Sequence, residues 1–497
     1  MRRHWLVAIL LSAGLALRIL ATIAYRPALL YVDTVKYLYN AYPGADPVGY
    51  KVPLKLLLAV GNLELVAVVQ HLAGLAMAAT IYVVLIRRGA WRWLAALATA
   101  PVLLDAYQVQ IEQTIMPDVW LEALIVAGTA LLLTRRLRLG FVIAGGFILG
   151  LSATVRQVGE ILIIPALVYL VAAGGGWRTI FHRSIALTAG FAVPVIAYMT
   201  GSQAITGHFW LASGSISIST YGRMASAADC AKLRIPAYER ALCPTARQRS
   251  FGIDWLDHSA HSPLKRYHPP GGLSKYAIVA SFDHTVAEQQ PARVAGAIMR
   301  DAAKLFAITR TSSQEGTPIS RWQFQDFYPA YPSWVQVSGD GQIVLGLRLT
   351  PAGGPLVRHP LDAGYGGKAE ADRPVAAFLR DYQLGGGYTP GPAMALLAFT
   401  GLLGSLLAFA RRLGDQVRRP VLGSLLFFCC GVAVLAISDA FQFSWRYQLP
   451  ALVTLPPAGA LGIAALACWL GSRLTSGRSR AANLQPDSRA EVTAPAS

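Results

Sequence analysis

Long apolar runs, broken by short and mostly basic polar stretches, fill both ends of the chain and leave a polar middle. The runs recur at about 5–24, 63–86, 91–107, 119–134, 140–156, 158–173, 185–201, 391–410, 420–438 and 449–470. At about 17 to 25 residues, such a run crosses a hydrocarbon core of about 30 Å as a helix. The pattern predicts seven spans in 1–201, a polar insertion over 202–390, three spans in 391–471 and a Ser-, Ala- and Pro-rich tail, 472–497, that reads as disordered and cytoplasmic. Val52 to Gly61 is apolar but too short to cross and is expected to lie along the membrane. In the insertion, 290–307 has helical spacing, with Pro291 in a first-turn position and Val294, Ile298, Ala302 and Leu305 on one face. That face fits either an interfacial helix or one packed on a domain core.

Composition agrees with the spans. The 497 residues are 54% hydrophobic and 14% charged, with a mean hydropathy of +0.44, too little polar surface for a soluble protein of this length. The net charge of +18 follows topology. With the N-terminus inside, inner segments as far as Arg480 hold 17 Lys and Arg and the short outer ones hold 6. This places both termini in the cytoplasm of a multi-pass cell-membrane protein and gives no case for a nucleic-acid partner. The first run follows Met-Arg-Arg without a small-residue cleavage site and reads as an uncleaved signal-anchor.

The insertion, outside by this topology, has 19 Lys and Arg and 14 Asp and Glu and is long enough for a core of its own. Its two cysteines, Cys230 and Cys243, suit a disulfide on that side of a membrane; free thiols are the alternative. No Cys-x-x-Cys and no His pair at zinc-finger spacing accompanies them. Cys429, Cys430 and Cys468 fall in spans and serve as small apolar residues. The aromatics Trp255, Trp322, Phe327, Tyr328, Tyr331 and Trp334 suit sugar stacking or a core.

The acids carry the candidate chemistry, because carboxylates at a membrane face are costly to keep. Asp33 follows the first span, where a half-sheltered carboxylate suits a general base for a hydroxyl or amine, or else a loop cap. Asp118 precedes a span after Pro117, as an N-cap does. Glu112 has no such role and is the better candidate for the acceptor or metal side of a site. Carboxylates from two outer loops could hold a divalent cation, Mg or Mn. Arg156 and Arg446 are each the sole positive charge of a short outer turn, suited to a phosphate oxygen or to snorkelling. His71 reads as a polar packing residue within the second span.

Several motifs recur in one order: Arg18 in the first span, YRPALLYVDTVKYL, GYKVPLKLLL, VVQHLAGL, LLDAYQVQIEQTIMPD, TVRQVG and, near the last span, RYQLP. In that order they resemble actinobacterial phospholipid-carrier-dependent glycosyltransferases of the GT-C superfamily, similar to protein O-mannosyltransferases and aminoarabinose–lipid A transferases. The YGRMASAADC and LCP stretches resemble insertions in actinobacterial members. The resemblance implies an all-α polytopic membrane protein of GT-C type, with about ten transmembrane helices and a mixed extracytoplasmic domain between the seventh and eighth. It also implies an inverting hexosyl- or pentosyltransferase that takes a polyprenyl-phosphate sugar and an extracytoplasmic acceptor: cell-wall glycan, lipid or protein. Asp33 would act as base, Glu112 and Asp118 would shape the acceptor or metal side, and Arg156 and Arg446 would hold the lipid phosphate. Lys51 stands where family members commonly have Pro after Gly-Tyr, and it could add a phosphate contact. Asp33 is followed by Thr, unlike the paired acids of the mannosyltransferase branch. A transporter or flippase for a lipid-linked glycan is the alternative, and a polymerase-like membrane protein a third. Acids at the outer ends and seven spans plus three without a repeat favour the enzyme.

Overall fold

The computed structural model describes residues 3–31, 33–39, 47–212, 216–311, 317–329, 334–337, 343–345, 357–360, 369–410 and 413–482. Among them, six helices are long and apolar enough to cross a membrane: Trp5–Ala24, Leu63–Arg88, Trp177–Thr206, Gly391–Phe409, Asp415–Phe441 and Trp445–Arg473. The chain is a multi-pass membrane protein. Each of the ten expected spans contains helix, but four differ from a full crossing. The 91–107 run breaks at Asp105, whose carboxylate caps the next helix by accepting from Tyr107 N at 3.1 Å; the two parts, Arg92–Leu104 and Ala106–Gln113, bend by 50°. The 119–134 run is a 15-residue helix, Asp118–Leu132. Leu139–Val155 has 17 residues, and 158–173 begins as the 3-10 turn Gln157–Leu162 before Ile163–Ala173.

Glycine lets two of the helices come close. A Cβ on Gly146 would lie 2.3 Å from Leu187 O, and one on Gly190 2.3 Å from Ile143 O, so Leu139–Val155 and Trp177–Thr206 pack backbone against backbone. Lys51–Val60 is a ten-residue helix with Val52, Leu56 and Val60 exposed at four-residue spacing, the stripe of a helix lying in an apolar interface.

The insertion has two parts. Residues 221–297 contribute a core of their own around Tyr221, Leu256, Val279, Phe282 and Val286, and Cys230 and Cys243 are joined in a disulfide with Cα atoms 6.0 Å apart. The Pro291–Lys304 helix buries Val294 and Ala297 in that core, which settles its packing. Phe324, Ala376 and Leu379 instead pack with Ala21, Ala24 and Tyr25 at the end of the first helix. There Tyr25–Arg26 pairs antiparallel with Glu370–Ala371. A three-stranded sheet, with Trp334–Val337 central between Ile343–Leu345 and Val357–Pro360, supplies the strand content. Tyr331 lies outside the described residues. The last helix, Pro450–Ala482, runs into the segment expected to be disordered, and 483–497 lie outside the described residues.

Candidate active site

Two loops meet first. Leu29 N donates to Gln113 O at 2.9 Å and Ile115 N to Leu29 O at 3.0 Å, so the loop after the first helix is bridged to the segment before Asp118. Thr34 Oγ1 ties the two again by donating to Ile115 O at 3.0 Å, and it accepts from Tyr31 N at 2.9 Å. These bonds hold Asp33 beside the start of the Asp118–Leu132 helix. Asp118 does not cap that helix: the N-cap position is Pro117 and no side-chain cap bond is made. Its carboxylate turns to two arginines instead.

Arg446 lies in the short turn Trp445–Gln448, between the last two long helices. Its Nη1 donates to Asp33 Oδ2 at 3.0 Å, and its Nε is 3.6 Å from Asp118 Oδ1. Nη2 donates to the Tyr447 hydroxyl at 3.1 Å. The guanidinium carbon also lies 4.7, 5.1 and 5.7 Å from the ring centres of Tyr447, Trp322 and Tyr31. Arg156, at the end of Leu139–Val155, reaches Asp118 Oδ1 at 3.3 Å and Oδ2 at 3.5 Å, and lies over Tyr447 at 5.2 Å. The order Asp33, Arg446, Asp118, Arg156 alternates in charge, so the buried Arg446 and the partly buried Arg156 are compensated without leaving a lone ion in low dielectric. Asp33 is the open member, at 28% exposure against 4% for Arg446 and Asp118.

The insertion rims this group. Arg321 donates from Nη2 to Asp254 Oδ2 at 3.2 Å and from Nη1 to the Tyr31 hydroxyl at 3.4 Å. Burial pushes the Tyr31 phenol up, against the pull of Arg446 and Arg321. Burial pulls the His258 imidazole down while the Asp254 and Asp33 carboxylates oppose it, which puts the Ile253–His258 helix in the field of Asp33.

Lys51 opens the Lys51–Val60 helix. Gly49 N donates to Thr154 O at 2.9 Å, and a Cβ on Gly49 would sit 2.4 Å from that oxygen, so only glycine fits the loop two residues from Arg156. Tyr50 is buried against Tyr37 and Trp120 and donates to Gln70 Oε1 at 3.0 Å. Burial, with Lys55 nearby, pulls the Lys51 ammonium down to about 8.

Glu112 is elsewhere. Fully buried, it accepts from Arg18 Nη2 at 2.7 Å and Gln108 at 3.2 Å on Oε1, while Oε2 lies 3.0 Å from His71 Nδ1. Arg18 gives its remaining bonds to the carbonyls of Gly14, Val102 and Leu103, each at 3.0 Å. His71 Nε2 meets Gln113 Oε1 at 2.7 Å. The expected grouping of Glu112 with Asp118 is therefore corrected: both Glu112 oxygens are committed inside the bundle, because Arg18 and His71 from two long helices need a carboxylate there. Among the described residues no group of three or more His, Cys, Asp or Glu is placed to hold a metal ion.

Tyr31 and Tyr447 escaped the sequence reading although they stand two residues before Asp33 and one after Arg446. Trp322, read as a sugar platform or core, is 3% exposed and packs on Tyr31 at 4.7 Å between ring centres. Phe327 is exposed, at 49%.

No family model and no curated protein matches the chain. Among solved structures, it is similar to the S. cerevisiae protein O-mannosyltransferase Pmt1-Pmt2 complex bound to the sugar donor (15% identity, TM-score 0.34, 44% of this chain and 35% of that one). A second is the archaeal oligosaccharyltransferase AglB from Archaeoglobus fulgidus, in complex with an inhibitory peptide and a dolichol-phosphate (11%, 0.41, 99% and 53%). A third is ArnT from Cupriavidus metallidurans bound to undecaprenyl phosphate (12%, 0.31, 92% and 77%). The chain spans about a third of the length of the first and about half that of the second.

Proposed function

We propose that the chain is a glycosyltransferase that moves a sugar from a polyprenyl-phosphate donor to an acceptor hydroxyl on the extracytoplasmic side, with inversion. The observation that carries this reading is the contact between an open carboxylate, Asp33, and a buried guanidinium, Arg446, at 3.0 Å, with Arg156 joined through Asp118. A base and two phosphate-type donors converge where helix ends meet. Asp33 takes the proton of the acceptor hydroxyl as its oxygen forms the bond to the anomeric carbon. The bond from that carbon to the phosphate oxygen breaks, and its electron pair stays on the polyprenyl phosphate. The developing charge falls to Arg446 and Arg156, fixed donors in a site where water is largely excluded. On phosphate binding Arg446 exchanges Asp33 for the phosphate and leaves the carboxylate to act as base.

The test is transfer of label from polyprenyl-phosphate sugars in membranes, wild type against Asp33→Asn. Loss of transfer with donor binding retained supports the assignment, and unchanged transfer overturns it. A lipid-linked glycan transporter is the second reading, because Arg18, Glu112 and His71 are ionisable groups inside the bundle. Movement of unmodified donor across vesicles without sugar transfer would favour it.

A further inference from the structure

The chain at 439–448 is braced by the insertion at its most buried charges. Asp439 lies in the last turn of the Asp415–Phe441 helix, where backbone carbonyls lack an intrahelical partner. Arg223, fully buried on the Ile216–Ala227 helix of the insertion, donates from Nη2 to Asp439 O at 2.7 Å, a cationic cap on that helix end supplied from another part of the molecule. The same guanidinium pairs with Asp301, also fully buried. The Asp439 carboxylate accepts at Oδ1 from Gln448 Nε2 at 2.8 Å, which ties the Trp445–Gln448 turn back to the helix it follows. Trp445 Nε1 adds a bond to Thr311 O at 3.1 Å, also from the insertion. Arg446 sits within this brace.

We propose that Arg223, with Asp301, is a positioning residue for Arg446: through Asp439 and Gln448 the insertion fixes the turn, so that the guanidinium stays aimed at the phosphate subsite beside Asp33. This rests on the reading of Arg446 as a phosphate ligand. A buried ion pair is a poor source of stability, since an apolar replacement of similar volume is often neutral or better. What the pair supplies here is geometry, and a displacement of about 1 Å at a binding group is enough to cost a large factor in rate.

The experiment uses the full-length protein in nanodiscs, with undecaprenyl phosphate lacking a sugar as probe. Binding, thermal stability and backbone hydrogen exchange over 442–449 are measured for Gln448→Leu, the double variant Arg223→Met with Asp301→Leu, Arg223→Lys and Arg446→Gln. The expected result is binding about tenfold weaker in Gln448→Leu and the double variant, with faster exchange over 442–449; the melting temperature stays near wild type in the double variant and falls modestly in Gln448→Leu, which leaves the buried Asp439 carboxylate without its donor. Arg223→Lys, which still offers a cation to the helix end, stays closer to wild type. If Arg446→Gln weakens binding while Gln448→Leu and the double variant bind as wild type, the brace has no positioning role and the proposal falls. If Arg446→Gln itself binds as wild type, the phosphate reading fails and takes the proposal with it. Should the double variant fail to fold, Gln448→Leu, which leaves the ion pair intact, decides alone.

Discussion

Two of the carboxylate–guanidinium pairs in this chain, Asp33 with Arg446 at 3.0 Å and Glu112 with Arg18 at 2.7 Å, have opposite characters. Around Glu112 most acceptors and donors are matched from within: three backbone carbonyls take Nη1 and Nη2 of Arg18, His71, Gln108 and Gln113 close the network, and Arg18 Nε and Gln108 Oε1 stay buried without a partner among the described residues. A network so nearly satisfied has little left to offer a ligand. Around Arg446 the surroundings beside Asp33 are three aromatic faces, the Tyr447 hydroxyl at 3.1 Å and the Asp118 carboxylate 3.6 Å from Nε, with no backbone carbonyl bonded to the guanidinium among the described residues. That group can exchange partners. The difference lies in what surrounds each pair, because the pairs themselves are alike.

The largest effect that can break this comparison is at Asp33. Asp33→Asn is expected to lower transfer on the order of 10²- to 10⁴-fold, the range of a lost general base, with little change in melting temperature. Steady-state transfer and a thermal melt on the same preparation check both parts. Arg446→Gln comes next, with kcat falling about 10²-fold, as when a fixed donor to developing charge is removed. Arg446→Lys is expected to recover only part, because a point charge cannot hold two phosphate oxygens as a fork does. Full activity in Arg446→Gln would place both pairs in the structural class.

Glu112 is expected to behave the other way. Glu112→Leu leaves Arg18 buried without its carboxylate and is expected to destabilise by about 3–5 kcal/mol, while activity per folded molecule stays near wild type. Adding Arg18→Met to Glu112→Leu should recover most of the loss, since the pair is then replaced by apolar side chains. Denaturation of the single and double variants in detergent, with activity normalised to folded protein, checks it. A loss of turnover without a loss of stability would move Glu112 into the open class.

Much of this was legible in order along the chain, and less of it in space. The apolar runs located the helices, and the Val52 to Gly61 stripe marked a helix too short to cross. Asp33, Asp118, Arg156 and Arg446 stood out because each is an isolated charge next to an apolar run, and the fold brings all four together. Sequence spacing could not separate Glu112 from Asp118, six residues apart, because the Ala106–Gln113 helix turns one into the bundle and Pro117 starts the helix that carries the other. A signal for that split was present: Arg18 and His71 lie inside apolar runs, and buried charges seek each other. The break of the third run at Asp105 was hidden for a similar reason. Asp105 is engaged by Arg310, 205 residues later, at 2.7 and 3.1 Å, a partner no local pattern reveals. The Arg223 cap on Asp439 is longer in range still.

The smallest effect tests how far the open group extends. The Lys51 ammonium, pulled down to about 8 by burial, is charged below that pH and neutral above it. A contribution to the donor phosphate is then present at pH 7 and lost as pH rises through 8, so the donor KM in wild type is expected to rise about two- to fivefold between pH 7 and 9, as for a partly screened charge. Lys51→Met should show the raised KM already at pH 7 and no further rise on that account. Arg446, charged throughout, supplies no such step, so a KM titration that survives in Lys51→Met assigns it to another group. A flat wild-type profile would leave Lys51 outside the phosphate site and confine that site to the helix ends around Arg446 and Arg156.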